Sequence, residues 1–401
     1  MTLDPPLLCV LVDAFRHDYM DRLETPYVTA LAQGATSRPL RPILGYSDSI
    51  RAVIFTGKHP EDHGYWMEYC YRPESSPWTG LSRWAALDRL PSDFIQRVVK
   101  FGLSRTVLRR QAHRSGLTHM DLRHVPFRAI DKLDLTIHAD MTAPKALGVP
   151  TIFDDCRDSG RPFSYLSSTR LSPPRLLAEI DTIPTETGLV FVYLHQIDMV
   201  AHIFGMDSRR FHSTVADVDE YVGAITARMQ RRFPGAATML FSDHGMSTLH
   251  RQVSLERLTN HPGFPSRFFV ALDATMARLW YFDDDDDLRG WVRHYIASQL
   301  PGRFLTEGDR RELRLRFDED LYGEDIFLTE PGWGIFPNFH SYVKPKAMHA
   351  YHPDNSDQWG LFVGPEAAGV DAEIMEMTDI APLCRRYMGT SARPEPATGI
   401  G

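Results

Sequence analysis

The sequence has little cysteine and no long apolar run. Its cysteines, Cys9, Cys70, Cys156 and Cys384, show no C-x-x-C spacing, which argues against a zinc ribbon and against a dense disulfide framework. We therefore expect reduced thiols. No stretch approaches the roughly 18 apolar residues that a membrane-spanning helix needs, and the N-terminus lacks the pattern of an export signal. The expectation is a cytoplasmic protein without a transmembrane segment, unless an export signal has been trimmed.

An excess of positive charge is also missing. The formal net charge is -8 and the isoelectric point is about 6.1, so the whole chain has no electrostatic attraction to nucleic acid. We expect no specific nucleic-acid binding. An anionic small-molecule substrate would need local positive charge or a metal ion. The composition leaves the oligomeric state open.

The apolar residues, in contrast, occur in informative short runs. Leu7 to Val12, Leu189 to Leu194 and Thr238 to Phe241 are each followed by an aspartate within four residues, and each run is typical of a buried parallel strand. Helical patterns at 25 to 32 and 209 to 230 lie between them. The alternation predicts an α/β fold with a mainly parallel central sheet sandwiched by helices, and ligands gather at the carboxyl ends of such strands.

Two segments interrupt this alternation. Residues 73 to 145 are rich in proline and tryptophan, and we interpret them as an inserted cap. Residues 265 to 345 are interpreted as a smaller α/β insertion, which leaves 1 to 72 and 146 to 401 as the main α/β core that contains it. Within the cap, Arg97 to Arg128 holds eight Arg or Lys against one Asp. Such a stretch is typical of a solvated helix face, and the alternative is a wall that attracts an anionic substrate.

The smaller insertion has its own pattern. Arg278 to Phe282 and Glu312 to Phe317 are strand-like, and a helix is predicted from Leu288 to Leu300. The run Asp283 to Asp287 lacks the spacing of a calcium loop, so we expect a solvated loop.

Four short motifs carry chemically useful side chains. Ser47 precedes a helical apolar pattern that ends at Thr56-Gly57, so it would lie at a helix N-terminus, where amide groups stabilise anions. The other motifs offer carboxylates and imidazoles suited to metal binding, although each alone is weak evidence: Asp198-x-x-x-His202, Asp243-His244-Gly245-Met246 and His349-Ala350-Tyr351-His352. Asp13, which follows the first strand, would on its own be read as a helix N-cap.

In combination these motifs resemble the nucleotide pyrophosphatase and phosphodiesterase branch of the alkaline phosphatase superfamily. The resemblance extends over almost the whole chain except the cap. That branch has six elements in a fixed order, and all six occur here, the last with one substitution: an early strand ending in Asp, a Ser or Thr nucleophile ten residues before the Gly of a Thr-Gly, Pro-x-x-His-Gly, Asp-x-x-x-His, Asp-His-Gly-Met and a late His-Gly-Tyr, here His-Ala-Tyr.

The resemblance implies Ser47 as the nucleophile and two divalent metal ions. The implied ligands are Asp13, Ser47, Asp243 and His244 for one metal, and Asp198, His202 and His349 for the other. Mixed carboxylate and imidazole ligands suit Zn²⁺, with Mn²⁺ or Fe²⁺ as alternatives.

Two pairs of residues compete for these roles. Ser49 precedes the same helix as Ser47, but only Ser47 has the family's spacing to Gly57, so Ser49 is expected to support the turn. His352 competes with His349, which is favoured because His-Ala-Tyr differs from the family's His-Gly-Tyr at one position.

Two further residues are candidates for substrate binding. Glu68 stands where the family commonly has an Asn that donates a hydrogen bond to the phosphoryl group, and an ionised carboxylate cannot donate. Glu68 would then turn away, be protonated in a dry site, or face a cationic substrate group such as an amine. Arg51, four residues after Ser47, resembles the arginine of the sulfatase motif, and it would contact the phosphoryl group, cap the helix or face solvent.

The sequence thus predicts a hydrolase that cleaves a phosphodiester or pyrophosphate bond through a phosphoserine on Ser47. A phosphomonoesterase or phosphonate hydrolase is the nearest alternative. A sulfatase is disfavoured because the pattern around Ser47 and the histidine-rich metal ligands differ from those of sulfatases. A catalytically idle, metal-bound binding protein is the alternative of a different class.

Overall fold

The computed structural model describes residues 4–89, 93–106, 109–110, 125–341, 343–365 and 372–390. Within these residues, no helix combines the length and the apolar character needed to cross a membrane. All four cysteines are buried and free, as the sequence predicted.

The described strands and helices alternate along most of the chain. The strands are β1 (Leu7–Val12), β2 (Ala35–Arg41), β3 (Tyr69–Tyr71), β4 (Leu133–Leu135), β5 (Phe163–Ser167), β6 (Leu189–Leu194), β7 (Thr238–Phe241), β8 (Ser247–Thr248), β9 (Arg251–Val253), β10 (Phe268–Leu272), β11 (Met276–Tyr281), β12 (Gly302–Phe304), β13 (Asp325–Thr329), β14 (Trp333–Ile335), β15 (Ala347–Met348), β16 (Gly360–Pro365) and β17 (Met375–Glu376). The α-helices are α1 (Tyr19–Arg22), α2 (Pro26–Ala32), α3 (Ser47–Thr56), α4 (Pro60–His63), α5 (Asp93–Arg105), α6 (Phe127–Ile130), α7 (Ile152–Asp158), α8 (Pro173–Asp181), α9 (Gln196–Phe204), α10 (Arg209–Arg232), α11 (Glu256–Thr259), α12 (Asp286–Gln299), α13 (Glu307–Glu312) and α14 (Ile380–Met388). Short 3₁₀ segments cover Leu81–Arg89, Asp318–Asp320, Ser356–Gln358 and Met377–Asp379.

Seven of the described strands form the central sheet, in the order β17-β2-β16-β7-β1-β6-β5. Its pairings are parallel except those of β16, which runs antiparallel to β2 and β7. The three apolar runs identified in the sequence are β1, β6 and β7, with the predicted bounds. They are adjacent, so the residues that follow them meet at one edge of the sheet.

Both faces of this sheet are covered by helices. Along β1, the even-numbered residues from Leu8 to Val12 pack with α2, α8, α9 and α10, and the odd-numbered residues from Leu7 to Leu11 pack with α3, α7 and α14. Because successive side chains of a strand point to opposite faces, only a continuous apolar run can fill both cores. The predicted α/β sandwich is therefore confirmed.

A second sheet, β10-β11-β13-β12, is antiparallel and lies within the predicted smaller insertion. Strand β11 and helix α12 lie close to their predicted positions. The predicted strand from Glu312 to Phe317 is wrong, because a capping box between Thr306 and Asp309 starts α13, which ends at Glu312. Arg314 follows with a φ of 56°, and this left-handed residue interrupts an extended chain.

The predicted aspartate loop is also only partly correct. Asp286 and Asp287 belong to the first turn of α12, and the side chain of Asp285 accepts a hydrogen bond from the Leu288 amide as the helix N-cap. Carboxylates are stabilised at a helix N-terminus by the helix dipole.

The cap and the second sheet share one hydrophobic core. Trp78 and Phe127 from the cap pack in the same cluster as Val270 and Leu279 of the second sheet. Strand β3 pairs with β4 in an antiparallel manner. The two segments are thus separate along the chain but continuous in packing.

The described part of the basic stretch is solvated only in part: Arg105, Arg109 and Arg110 are exposed, as expected, whereas Lys100 is buried. Lys100 is 5% exposed and donates a hydrogen bond to the Val125 carbonyl, and burial lowers its pKa to about 8. Arg128 donates to the Thr259 carbonyl. Residues 107–108 and 111–124 of this stretch lie outside the described part of the chain.

One buried carboxylate joins two helices of the core, and it gives a test of the fold. Asp219 of α10 is 1% exposed and accepts hydrogen bonds from the amides of Tyr27 and Val28 at the start of α2. We predict that Asp219→Ala lowers the free energy of unfolding by about 2–3 kcal/mol, because two buried amides lose a charged acceptor. Denaturant unfolding measures this change. Asp217→Ala, at an exposed position of the same helix, is the matched control, and an equal effect of both variants would contradict the assignment.

Candidate active site

The carboxyl ends of β1 and β7 supply the innermost site residues. Asp13 follows β1, and Asp243 and His244 follow β7; all three are at most 2% exposed. Nε2 of His244 lies 3.3 Å from Oδ1 of Asp13 and 3.7 Å from Oδ2 of Asp243. The sheet order therefore joins residues that are 230 positions apart in sequence.

The backbone packs closely around Gly245. Its φ lies outside the left-handed region that favours glycine. A Cβ atom at this position would instead lie 2.2 Å from the carbonyl oxygen of Asp357. Glycine is required because another segment of backbone passes too closely.

Ser47 lies at the start of α3, as predicted, and its Oγ is 3.0 Å from Nε2 of His244. Oγ of Ser49 donates a hydrogen bond to the Tyr46 carbonyl at 2.7 Å. Ser49 is thus used by the turn that precedes the helix. The hydroxyl that joins the cluster is that of Ser47.

Helix α9 carries the next pair. Asp198 and His202 lie one turn apart, with Oδ1 and Nε2 3.0 Å from each other. The other ring nitrogen of His202, Nδ1, contacts the Ala347 carbonyl at 2.8 Å. Such a backbone contact fixes the orientation of a ligating histidine.

His349 completes the cluster from the opposite side. Its ring stacks on that of His244 with centroids 3.6 Å apart, and its Nε2 lies 3.9 Å from Oδ1 of Asp198. His352 lies 3.6 Å from the exposed carboxylate of Asp354. The structure therefore brings His349, and not His352, into the cluster.

Ala350 shows why the related motif has glycine next to this histidine. Its φ is 66°, in the left-handed region that glycine adopts without strain. Its carbonyl accepts a hydrogen bond from Thr275 Oγ1 at 2.9 Å. The turn is retained here although the glycine is not.

The cluster brings several carboxylates together away from water. Burial raises the pKa of Asp13 well above its ordinary value, and the nearby carboxylates of Asp243 and Asp198 raise it further. Burial also raises the pKa of Asp243 to about 7. Burial opposes ionisation of Asp198 and of His202, but their mutual contact holds the pKa of Asp198 below its ordinary value and raises that of His202 to about 9. The arrangement favours a bound cation.

The donor atoms fit divalent metal ions. Asp198, His202 and His349 offer ligand atoms within 4.8 Å of one another, and so do Asp13, Asp198 and His244. Buried atoms without a hydrogen-bond partner include Asp13 Oδ1, Asp198 Oδ1 and Asp243 Oδ2. Asp198 is a member of both groups. Asp243 is in neither group, but its Oδ2 lies 3.7 Å from Nε2 of His244, which is a member of the second group. The division of these residues between two metals stays a prediction.

A cavity of about 530 Å³ is lined by Asp48, the residue that follows Ser47. Its charged lining includes Asp48, Arg51, Glu68, Asp140 and Arg170. None of the described residues in the basic stretch lines it, so the described part of that stretch does not form a wall of this cavity.

Arg51 is largely buried rather than solvent-facing. Its guanidinium pairs with Asp48 and lies over the Tyr193 ring, 4.6 Å from the centroid. The Tyr193 hydroxyl in turn donates a hydrogen bond to Asp13. Arg51 is thereby held next to the carboxylate cluster.

Glu68 also lines the cavity, and it does not turn away. Its Oε2 lies 3.6 Å from Nδ1 of His340. Sequence reasoning did not single out Tyr193 or His340. Tyr193 is a polar residue within an apolar strand, which is a usable signal, but no motif surrounds His340.

Comparisons with known proteins identify the family of this chain. The sequence model of the family "Type I phosphodiesterase / nucleotide pyrophosphatase" matches residues 7–314. The chain belongs to this family. It is thus a hydrolase of the nucleotide pyrophosphatase and phosphodiesterase branch of the alkaline phosphatase superfamily, as the motifs predicted.

Individual relatives of this family are distant. Rat ectonucleotide pyrophosphatase/phosphodiesterase family member 7 is 21% identical and aligns with 98% of this chain and 85% of its own length. Murine ectonucleotide pyrophosphatase / phosphodiesterase 5, solved as an inactive variant in complex with AMP, has a TM-score of 0.70 at 16% identity, covering 98% of this chain and 97% of its own. The human counterpart has a TM-score of 0.68 at 15% identity, covering 98% and 96%.

The cluster predicts a specific effect on metal content. His349→Ala should lose about one of two equivalents of bound metal, because it removes a ligand of one site and leaves the other intact. Inductively coupled plasma mass spectrometry of the purified protein measures this. His352→Ala is the control and should retain full metal content; a larger loss in His352→Ala than in His349→Ala would reverse the assignment.

Proposed function

We propose that this family member hydrolyses a phosphodiester or pyrophosphate bond through a covalent phosphoserine on Ser47. The observation that carries the proposal is the position of Ser47 Oγ, at the start of α3 and 3.0 Å from His244 within the carboxylate and imidazole cluster. The metal ligands are proposed to be Asp13, Ser47, Asp243 and His244 for one ion and Asp198, His202 and His349 for the other, with Zn²⁺ the preferred ion. Such ions lower the pKa of a serine hydroxyl and offset charge on phosphoryl oxygens.

The protein's own groups define the two chemical steps. Oγ of Ser47 loses its proton to solvent and attacks phosphorus; the Oγ–P bond forms as the bond to the leaving oxygen breaks, and that oxygen takes up a proton from solvent. A water molecule then attacks phosphorus and gives one proton to solvent, the Oγ–P bond breaks, and Oγ of Ser47 regains a proton. Amides in the first turn of α3 have no acceptor within the helix and are available to the nonbridging oxygens.

Arg51 is proposed to contribute at the same place. It lies one turn after Ser47 on α3, and its position over Tyr193 keeps the guanidinium beside the cluster. A cation there would attract the phosphoryl anion. The ion pair with Asp48 fixes its orientation.

Replacement of the nucleophile tests the proposal most simply. Ser47→Ala should lower kcat/KM for bis(4-nitrophenyl) phosphate by at least about 10³-fold with full metal content, because the phosphoserine cannot form. Ser49→Ala should lose at most about tenfold, since Ser49 only supports the turn. Phosphomonoester, phosphonate and sulfate substrates in the same assay distinguish the related activities. Full turnover by Ser47→Ala would contradict the covalent mechanism.

Glu68 is proposed to bind an ester group of the substrate that carries a hydrogen-bond donor, such as an amine. It lines the cavity as a carboxylate beside His340, and a carboxylate accepts hydrogen bonds from ammonium groups. Such a role would explain why Glu68 stands where the family commonly has an Asn.

A matched pair of substrates tests this role. We predict that Glu68→Gln raises KM for 2-aminoethyl 4-nitrophenyl phosphate about tenfold and leaves KM for the isosteric propyl ester within about twofold, because only the amine loses a charged partner. Steady-state kinetics measure both. Glu74→Gln, an exposed charge change in the cap, is the control. Equal changes in KM for both esters in Glu68→Gln would contradict the proposed binding of an amine by Glu68.

A further inference from the structure

Behind the cavity wall, four side chains of alternating charge form a buried chain. Arg278 and Asp273 have fully buried side chains and are joined by a contact of 2.7 Å from Nε to Oδ2. Nε2 of His340 lies 2.7 Å from Oδ1 of Asp273, and Nδ1 of His340 faces Glu68. The chain therefore runs from the core of the second sheet to the cavity.

The geometry sets the charge of His340. Both ring nitrogens face carboxylate oxygens, which only accept hydrogen bonds. A neutral imidazole has one N–H, so it would leave a lone pair pointing at one carboxylate. Asp273 is held ionised by Arg278, whose contact keeps the pKa of this carboxyl low against the effect of burial. The arrangement is satisfied when His340 is an imidazolium, and the two carboxylates raise its pKa although burial lowers it.

The chain also contacts the turn before the nucleophile. The ring of Tyr46 stacks on His340 with centroids 5.5 Å apart and meets His349 edge-on at the same distance. Tyr46 precedes Ser47 directly. His340 therefore contacts the nucleophile turn directly, and the ring of Tyr46 separates it from the carboxylate and imidazole cluster.

The net charge of these four side chains affects the binding of an anionic substrate. An ionised Glu68 beside an anionic phosphodiester is repulsive, and with a neutral His340 the four side chains would carry one net negative charge. With His340 protonated, the charges of Glu68, His340, Asp273 and Arg278 sum to zero. We propose that His340, held by Asp273 and Arg278, is a positioning residue that offsets the charge of Glu68 and fixes it at the cavity wall, so that the site accepts an anionic substrate.

This inference rests on the proposed function for its kinetic consequence, and a rescue experiment separates charge from packing. His340→Gln keeps a donor and similar size but loses the positive charge, and His340→Leu loses both. Each should raise KM for bis(4-nitrophenyl) phosphate on the order of tenfold, with kcat less affected. Variants of Asp273 are avoided because they would leave Arg278 buried without a counter-charge.

Double variants distinguish a charge role of His340 from a packing role. Adding Glu68→Gln to either His340 variant should return KM to within about threefold of the Glu68→Gln value, because the charge that His340 offsets is gone. If His340 only supports packing, the double variants will be at least as impaired as the single ones, and the inference fails. Metal content and melting temperature, measured for every variant, identify a variant that has lost its fold.

A spectroscopic measurement tests the chain even if the protein does not hydrolyse this diester. In ¹⁵N-labelled protein, the His340 ring nitrogens, assigned by their absence in His340→Gln, should show the shifts of an imidazolium near neutral pH. Glu68→Gln should move these shifts toward neutral imidazole. A neutral His340 in the wild type would overturn the inference, whereas missing turnover with a protonated His340 would overturn only the proposed function.

Discussion

Buried carboxylates that repel one another are the constraint on which this active site depends. Asp13, Asp198 and Asp243 converge where parallel strands end, and the sheet order gives them no alternative position. Left alone they would take up protons, as the raised pKa values of Asp13 and Asp243 indicate. The proposed divalent cations, held together with three imidazoles, would resolve the repulsion, and the same cations would serve the chemistry of Ser47.

The surrounding structure holds these groups in place. Backbone carbonyls orient His202 and His244, and Tyr193 donates to Asp13. On the cavity side, we propose that the ion pairs of His340 perform a similar task for Glu68. The proposed metal ions and the proposed neutralised carboxylate would together form a site for an anionic ester that carries a donor group.

Much of this site could be predicted from the sequence, because its ligands follow continuous apolar strands or lie one helical turn apart. The bounds of β1, β6 and β7, the start of α3 at Ser47 and the pairing of Asp198 with His202 followed from these local patterns. Three points remain predictions: the catalytic or metal-binding role of each site residue, the identity of the metal, and the cytoplasmic location.

Features that depend on long-range packing could not be predicted. The shared core of cap and second sheet, and the burial of Lys100 in a basic stretch, arise from contacts with distant segments. The predicted strand at Glu312 to Phe317 was wrong because a local capping box outweighed its alternating pattern. His340 gained its importance from Asp273 and Glu68, which no sequence spacing relates to it.

The central claim, that the carboxylate cluster holds two metal ions around Ser47, is tested most directly by anomalous diffraction at the metal absorption edge from crystals of the holoenzyme. The account predicts two anomalous peaks, one contacting Asp13, Ser47, Asp243 and His244 and the other contacting Asp198, His202 and His349. A single peak, or peaks away from these residues, would contradict it.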